Sequence, residues 1–154
     1  MIIWRRVMDI HSNDSKTPKQ HITFSTNYLK EAVWADGLRD FFEYRDLGVA
    51  GATSGKVKAH ILRVREGGDP SELHTTGLHI HKLDFQMIYI LKGWIKFIYE
   101  IPDKNGKLRK EEHTFCPGDC CVQPPEIVHN ELKCSDDLEL LEITSPAKYK
   151  TAAI

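Results

Sequence analysis

Short segments rich in β-branched and aromatic residues dominate the chain from residue 41 to residue 144, and glycine or proline turns separate them. Segments of this composition are typical of β-strands. The predicted strands cover residues 41–47, 56–65, 78–83, 84–91, 94–101, 107–115 and 138–144. Between two of them lies Asn105-Gly106, the dipeptide that most strongly indicates a tight hairpin. Because no helix of core length lies between these strands, the pattern predicts an all-β sandwich or barrel.

The segment before these strands has a different character. Residues 1–26 are polar and lack a sustained period, and we interpret them as an extension that is loosely structured or packs against a partner subunit. Residues 27–38 carry Leu29, Ala32 and Val33 at helical spacing, which favours a short helix. Residues 27–154 are expected to form one domain, since a chain of 154 residues is long enough to bury one core.

Charge and hydropathy exclude several classes of protein. Lys and Arg number 21 against 22 Asp and Glu, so the formal net charge is −1 and there is no basic footprint for nucleic acid or a membrane surface. No apolar run approaches the ~18–20 residues of a transmembrane helix, and the arginines at positions 5 and 6 lack the apolar stretch of an export signal. The four cysteines contain no CxxC pair, which favours reduced thiols and a cytoplasmic location.

The stretch HIHKLDFQMIYILKG, residues 79–93, carries polar side chains at spacings that a metal site uses. His79 and His81 project from the same face of a strand about 7 Å apart, and neutral imidazoles are good ligands for first-row divalent ions. An isolated pair of this kind is weak evidence, because such histidines are more often solvated or hydrogen-bonded. Gln86 follows a four-residue connection that is long enough to reverse the chain and face the same point.

A second polar residue pattern lies downstream in GDCCVQPPEIVHN, residues 118–130. Its Pro124-Pro125 pair ends one strand and turns the chain. His129 is therefore expected to begin a return strand and to point back at the same interior point.

These two stretches resemble the two motifs of the cupins, G(x)5HxH(x)3–4E(x)6G followed by G(x)5PxG(x)2H(x)3N. In the first motif the HxH, the four-residue gap and the six residues before Gly93 match. The departures there are Gln86 in place of the glutamate and Leu73 in place of the leading glycine. In the second motif Gly118, Pro124 and His129 match, whereas Glu126 and Lys133 replace the usual glycine and asparagine.

The resemblance covers about residues 38–146 and implies a cupin double-stranded β-helix, or jelly-roll barrel. It also implies one divalent transition metal inside the barrel, which is Fe, Zn, Ni, Mn or Cu, with the ligands His79, His81, Gln86 and His129. Because Gln86 supplies a neutral oxygen, such a site keeps its full +2 charge, and this favours an anionic ligand in the open positions. The alternative is that Gln86 only forms hydrogen bonds beside a three-histidine site.

A set of three histidines and one glutamine is similar to that of the small cupins of pectin breakdown, which linearise unsaturated uronic acids. Those proteins end in a strand reading roughly LxDVFSPxR, and the present chain reads LLEITSPAK at residues 140–148. Glu142 falls at the position of a functional aspartate, Thr144 at that of an aromatic residue and Lys148 at that of an arginine. The resemblance therefore implies a general acid or base at Glu142 and a cation of the substrate pocket at Lys148. Strand alternation leaves both a pocket-facing and a solvent-facing Glu142 open.

Two further residues are candidates for the surroundings of the site. His60, on the predicted strand 56–65, either faces the cavity or is a hydrogen-bonded wall residue or an exposed imidazole. Asp84 precedes Gln86 and is a candidate acceptor for orienting a ligand histidine.

The expected function is that of a cytoplasmic cupin metalloprotein acting on a small, oxyanionic metabolite. Two enzymatic reactions are open, a non-redox isomerase or lyase reaction and a dioxygenase reaction, because the fold alone does not determine the chemistry. The alternative from another class is a non-catalytic cupin that binds or senses a small ligand. Resemblance to the small cupins further implies a homodimer, and neither a nucleic acid nor a membrane is an expected partner.

Overall fold

The computed structural model describes residues 22–37 and 39–154. Its strands are β1 (Ala35–Asp36), β2 (Phe42–Asp46), β3 (Lys58–Val64), β4 (His79–Lys82), β5 (Phe85–Lys92), β6 (Ile95–Pro102), β7 (Leu108–Phe115), β8 (Cys120–Gln123), β9 (His129–Cys134), β10 (Glu139–Ser145) and β11 (Lys150–Ala153). One α-helical turn, α1 (Val49–Ala52), and two 3-10 segments, Leu29–Glu31 and Pro70–Thr76, complete the elements of this part of the chain. None of these helical segments has the length and hydropathy needed to cross a membrane.

The strands form two antiparallel sheets that face each other. The first sheet has the order β1-β2-β3-β10-β5-β8, and the second has the order β11-β4-β9-β6-β7. Strands that follow one another in sequence often lie in different sheets, as β4 and β5 do, and so do β9 and β10. The predicted all-β jelly-roll architecture is confirmed, and each of the seven predicted strands ends within two residues of its expected position.

The hydrophobic core lies between the two sheets. It contains the buried residues Phe42, Val64, Leu73, Ile88, Ile90, Ile95, Phe97, Tyr99, Leu138 and Leu140. Full burial of an aliphatic or aromatic side chain of this size stabilises a fold by about 1.5–3 kcal/mol. This packing stabilises the two sheets against each other.

Two local predictions have different outcomes. The Asn105-Gly106 hairpin joins β6 to β7, and Asp103 Oδ1 accepts hydrogen bonds from the backbone N–H groups of Asn105 and Lys107. Within residues 27–37, by contrast, the expected helix is only the three-residue 3-10 turn Leu29–Glu31, followed by β1. Its apolar residues Leu29 and Val33 are 71% and 79% exposed, so there is no buried face to stabilise a helix this short. Most of the predicted extension, residues 1–21, lies outside the described residues.

Gly93 ends β5 in a conformation that only glycine adopts without strain, since its φ is +68°. A Cβ added there would lie 2.9 Å from the Leu138 Cα, so Gly93→Ala combines a left-handed backbone with a clash. We expect this change to lower the free energy of unfolding by about 2–4 kcal/mol.

Gly106→Ala is the matched control, because Gly106 has a φ of +79° but no atom within 4 Å of the added Cβ. Urea unfolding of both variants should show the smaller loss, about 1–2 kcal/mol, for Gly106→Ala. Equal losses of unfolding free energy in the two variants would contradict the clash between the added Cβ and the Leu138 backbone.

Candidate metal centre

Three histidines meet where β4 lies beside β9. His79 is the first residue of β4 and pairs directly with His129, the first residue of β9. His81 lies two residues along β4, on the same face as His79. The ligand nitrogens of the three side chains lie within 4.8 Å of one another, and the ring centroids are 4.4–5.0 Å apart. The structure thus brings together the HxH pair and the histidine that was expected to return to it.

Hydrogen bonds at the Nδ1 atoms orient the three rings. His79 Nδ1 donates to the Gly77 carbonyl oxygen at 3.0 Å, and His129 Nδ1 donates to the Ile127 carbonyl oxygen at 2.9 Å. His81 Nδ1 lies 2.8 Å from Thr151 Oγ1. A carbonyl oxygen only accepts, so the proton of His79 and of His129 is on Nδ1 and their Nε2 lone pairs are free. This is the arrangement that metal-binding histidines use.

Burial keeps His81 and His129 in their neutral form. Burial above all, and then the neighbouring His129 and His79, lower the pKa of His81 to about 4. The pKa of His129 is also lowered, again mainly by burial. At neutral pH both imidazoles are therefore uncharged, as a metal ligand must be.

A chain of hydrogen bonds runs from Gln86 to His60 through Glu142. Gln86 Nε2 donates to Glu142 Oε1 at 2.7 Å, and His60 Nε2 lies 2.6 Å from Glu142 Oε2. Gln86 and His60 are buried, with 4% and 6% of their surface exposed. Because the amide nitrogen of Gln86 is bound to Glu142, its carbonyl oxygen is the atom that remains for a further partner. Gln86 as a metal ligand stays a prediction.

The central position of β10 explains how Glu142 reaches both partners. Its neighbours across the first sheet are His60 on β3 and Ile88 on β5, and Gln86 lies two residues before Ile88 on the same face. Burial pushes the pKa of Glu142 upwards, but the hydrogen bonds and charges of His60 and the bond from Gln86 outweigh it, so the pKa is lowered. Glu142 therefore faces the cavity, which is one of the two orientations left open by the sequence.

A second carboxylate lies on the other sheet, and the sequence analysis did not identify it. Glu131 Oε2 accepts a hydrogen bond from Arg39 Nη2 at 2.9 Å, and the same nitrogen donates to Thr76 Oγ1 at 3.2 Å. Burial raises the pKa of Glu131, but the charge and hydrogen bond of the Arg39 guanidinium, together with His79 and a backbone hydrogen bond, outweigh burial, so the pKa is lowered. The signal was present in the sequence, because Glu131 follows His129 by two residues on one strand and so shares its face. No comparable signal identifies Arg39, which precedes β2.

All of these side chains line one cavity of about 550 Å³. Tyr44 and Tyr149 also line the cavity. Burial raises the pKa of Tyr44 to about 12 and also raises the pKa of Tyr149, so both hydroxyls stay protonated at neutral pH. The lysine and arginine side chains of the wall are Lys58 and Arg39. Apolar walls come from the core residues Phe42, Ile88, Ile95, Phe97 and Leu140. The cavity thus combines histidine nitrogens, two half-buried carboxylates and two cations.

Two predicted site residues lie elsewhere. Lys148 is exposed and does not line the cavity, and Lys58 on β3 is the lysine that does. Asp84 is also exposed, and its backbone N–H donates to the Ser145 carbonyl oxygen at 2.7 Å. The Nδ1 atoms of the three histidines have Gly77, Thr151 and Ile127 as partners instead.

The donor set fits a divalent first-row ion. Ligand nitrogens at about 2.0–2.1 Å from one ion lie about 3–4 Å apart, which small side-chain adjustments reach from the present spacing. Three neutral imidazoles suit Zn, Cu, Fe or Ni, and a fourth, oxygen ligand would extend the choice towards Mn. The cluster supports a divalent metal without determining which one.

Comparison with known proteins gives structural relatives only. No protein-family model matches the chain, and no curated protein matches it in sequence. Among solved structures, KdgF from Halomonas sp. superposes with a TM-score of 0.57 at 20% identity, over 82% of this chain and 96% of that one. A formate complex of oxalate decarboxylase from Lactobacillus farciminis superposes with a TM-score of 0.56 at 16% identity, over 82% of this chain and 35% of that one. The structure of oxalate decarboxylase from Bacillus subtilis at pH 4.6 superposes with a TM-score of 0.56 at 16% identity, over 89% of this chain and 34% of that one.

The chain therefore spans about a third of the length of the oxalate decarboxylases and nearly the whole length of KdgF. At these identities the likeness establishes the fold. With its two facing sheets and its histidine cluster between β4 and β9, the chain has the cupin fold.

Proposed function

We propose that this protein is a metal-dependent enzyme that transfers a proton on a small oxyanionic metabolite, as a non-redox isomerase or lyase. One observation carries the proposal. Glu142, a carboxylate bonded to both His60 and Gln86, lies in the same cavity as the cluster of His79, His81 and His129. A carboxylate held in place by a histidine partner is a common arrangement for general acid–base catalysis.

The three histidines and the carbonyl oxygen of Gln86 would hold the metal ion. When bound there, a divalent ion would polarise a carbonyl or enol oxygen of the substrate. The Nδ1 hydrogen bonds keep the ligand nitrogens directed at the cavity, so the protein needs little reorganisation to bind the ion.

Glu142 is the group proposed to take and return the proton. Its two oxygens each have one hydrogen-bond partner, Gln86 at Oε1 and His60 at Oε2, which hold the carboxylate in a single orientation. His60 is the proposed relay, because its ring can give or receive a proton at Nε2. Ile88 and Leu140 line the cavity beside this pair.

Arg39 and Lys58 are proposed to bind the oxyanion of the substrate. Arg39 uses one nitrogen for Glu131 and Thr76, and a guanidinium has further N–H donors that can bind a carboxylate. Glu131 and Thr76 hold the guanidinium in place. An anion in the cavity would be attracted by these two cations and by the metal, and the Glu131 and Glu142 carboxylates of the same cavity would partly offset that attraction.

Replacing Gln86 tests its role as a ligand. We expect Gln86→Glu to retain metal more tightly and to bind anions more weakly, each by on the order of tenfold, or about 1.4 kcal/mol. The added negative charge strengthens attraction to the cation and repels an anion, and an ionised glutamate can no longer donate to Glu142. Gln86→Met is the matched control, since it removes the oxygen without adding charge. Metal-binding and acetate-binding titrations should be measured for both variants. Unchanged metal affinity in Gln86→Met would show that Gln86 only forms hydrogen bonds beside a three-histidine site.

The reaction itself is tested with protein purified without a metal-affinity tag and loaded separately with Zn, Ni, Mn, Fe or Cu. Unsaturated uronates are the first substrates to assay, because of the sequence resemblance to the cupins that linearise them. Turnover without oxygen uptake supports the proposal. Oxygen uptake with Fe or Cu would instead indicate a dioxygenase, and anion binding without turnover of any assayed substrate would favour a ligand-sensing cupin. Homodimer formation and a cytoplasmic location stay predictions.

A further inference from the structure

One row of polar residues crosses the first sheet at the level of Gln86. Thr144 on β10 pairs with Lys58 on β3 and with Gln86 on β5, and Gln86 pairs with Gln123 on β8. Residues that are direct partners across a sheet point to the same face. Gln86 therefore has Thr144 on one side and Gln123 on the other, all on the inner face of the sheet.

The Gln123 side chain lines the cavity and carries a polar atom without a hydrogen-bond partner among the described residues. Only 1% of this residue is exposed, and its side chain lines the same cavity as the histidine cluster. Its Nε2 donates to the Tyr99 hydroxyl at 2.8 Å, whereas its Oε1 has no hydrogen-bond partner among the residues that the structure describes. If the amide were rotated, Tyr99 could donate to the oxygen and the nitrogen would be left over. In either case one end of the amide requires a partner from outside the described protein.

Leaving such an atom unsatisfied costs about 1–3 kcal/mol, and folded proteins rarely retain that cost without a reason. Thr144 Oγ1 also lacks a partner within the described part of the chain, but Thr144 does not line the cavity. Of the two residues of this row that carry an unpaired polar atom, only Gln123 therefore lines the cavity. Its direct pairing with Gln86 places it beside the proposed metal ligands.

We propose that the Gln123 amide is a hydroxyl-binding subsite beside the metal centre, which selects a carboxylate bearing a hydroxyl group over one that lacks it. The inference rests on the proposed function, because the carboxylate is bound by the cations and the metal of the same cavity. Oε1 accepts the hydrogen bond of the hydroxyl group, and Tyr99 fixes the amide through its other end. An ordered water could supply the same O–H donor, so the experiment must separate the two sources.

The test compares glycolate with acetate, which differ by one hydroxyl group, on the zinc-loaded full chain by calorimetry. We expect Gln123→Met to reduce the preference for glycolate about five- to tenfold, the worth of one hydrogen bond, and to leave acetate affinity within about twofold. Thr144→Val, which removes the other unpaired polar atom of the row, is the matched control and should keep the wild-type preference. An unchanged preference in Gln123→Met would overturn the inference and indicate that the amide holds a fixed water.

A second measurement does not depend on the variant folding or on zinc binding. The side-chain amide resonances of Gln123 in the wild-type chain should shift with glycolate but not with acetate. If the chain binds no zinc, the proposed function is contradicted. The hydroxyl subsite would then still be tested by the amide resonances of Gln123 in the zinc-free protein. Equal shifts with the two acids, or none with either, would overturn the hydroxyl subsite and leave the metal centre standing.

Discussion

Replacing Glu142 with glutamine should lower turnover by about 10²–10⁴-fold at unchanged metal content. The amide has nearly the same shape as the carboxylate and can still bond to His60, but it cannot take up a proton. The loss should appear in kcat, since the group acts on the reacting atoms rather than on the oxyanion. Steady-state kinetics with the substrate found in the uronate assay, together with elemental analysis of the variant, measure both quantities.

Glu139→Gln is the control for this variant. Glu139 lies on the same strand β10, three residues before Glu142, and does not line the cavity. Its replacement removes an equal charge and should leave kcat within about twofold of the wild-type value. Full activity in Glu142→Gln would exclude Glu142 as the acid–base group. A thermal melt separates loss of chemistry from loss of fold, because removing one partner of a buried ion pair also destabilises a protein.

Replacing His129 with alanine should reduce metal binding from one ion per chain to almost none at micromolar metal. His129 is 1% exposed and supplies one of three convergent nitrogens, so two ligands at most remain from the histidine cluster. His79→Ala should have the same effect. A wild-type protein in metal at about 100 times its Kd gains about 2.7 kcal/mol of stability, and both variants should lose this gain.

His113→Ala is the matched control for the histidine variants. His113 lies on β7 outside the cluster, with its side chain about 43% exposed and 3.3 Å from Glu111. It should bind metal as the wild type does. Equal metal content in all four proteins would show that the ion is held elsewhere on the chain.

The arrangement of the first sheet explains how a small barrel holds both a core and a site. Successive inner-face rows across β10 change from apolar to polar along the strand. Leu140 lies beside Leu62 and Ile90, Glu142 lies beside His60 and Ile88, and Thr144 lies beside Lys58 and Gln86. The Leu140 row is apolar, and the two following rows supply the polar side chains that line the cavity, namely His60, Glu142, Lys58 and Gln86.

Strand periodicity made much of this predictable. A period of two determines which residues share a face, so the common face of His79 and His81 followed from counting along a single strand, whereas the orientation of Glu142 was left open. The glycine and proline turns located the return strand that begins at His129. The cupin resemblance then joined the two halves of the cluster, since their pairing depends on contacts between distant parts of the chain.

The missed residues lie where a pattern along one strand no longer applies. Lys148 was placed by the resemblance of residues 140–148 to the terminal strand of the pectin-breakdown cupins, but β10 ends at Ser145, so Lys148 lies beyond the strand. Arg39 meets Glu131 across 92 positions of sequence, and only closure of the barrel brings them together. Asp84 is adjacent in sequence to the Phe85–Lys92 strand yet exposed, because the turn before β5 directs it outwards.

The most direct test of the metal centre is a crystal structure of the metal-loaded protein with anomalous data at the absorption edge of the ion. The account predicts one strong anomalous peak about 2.0–2.2 Å from a nitrogen of each of His79, His81 and His129, with the Gln86 carbonyl oxygen as the next protein ligand. A peak at any other group of residues, or none at saturating metal, would contradict it.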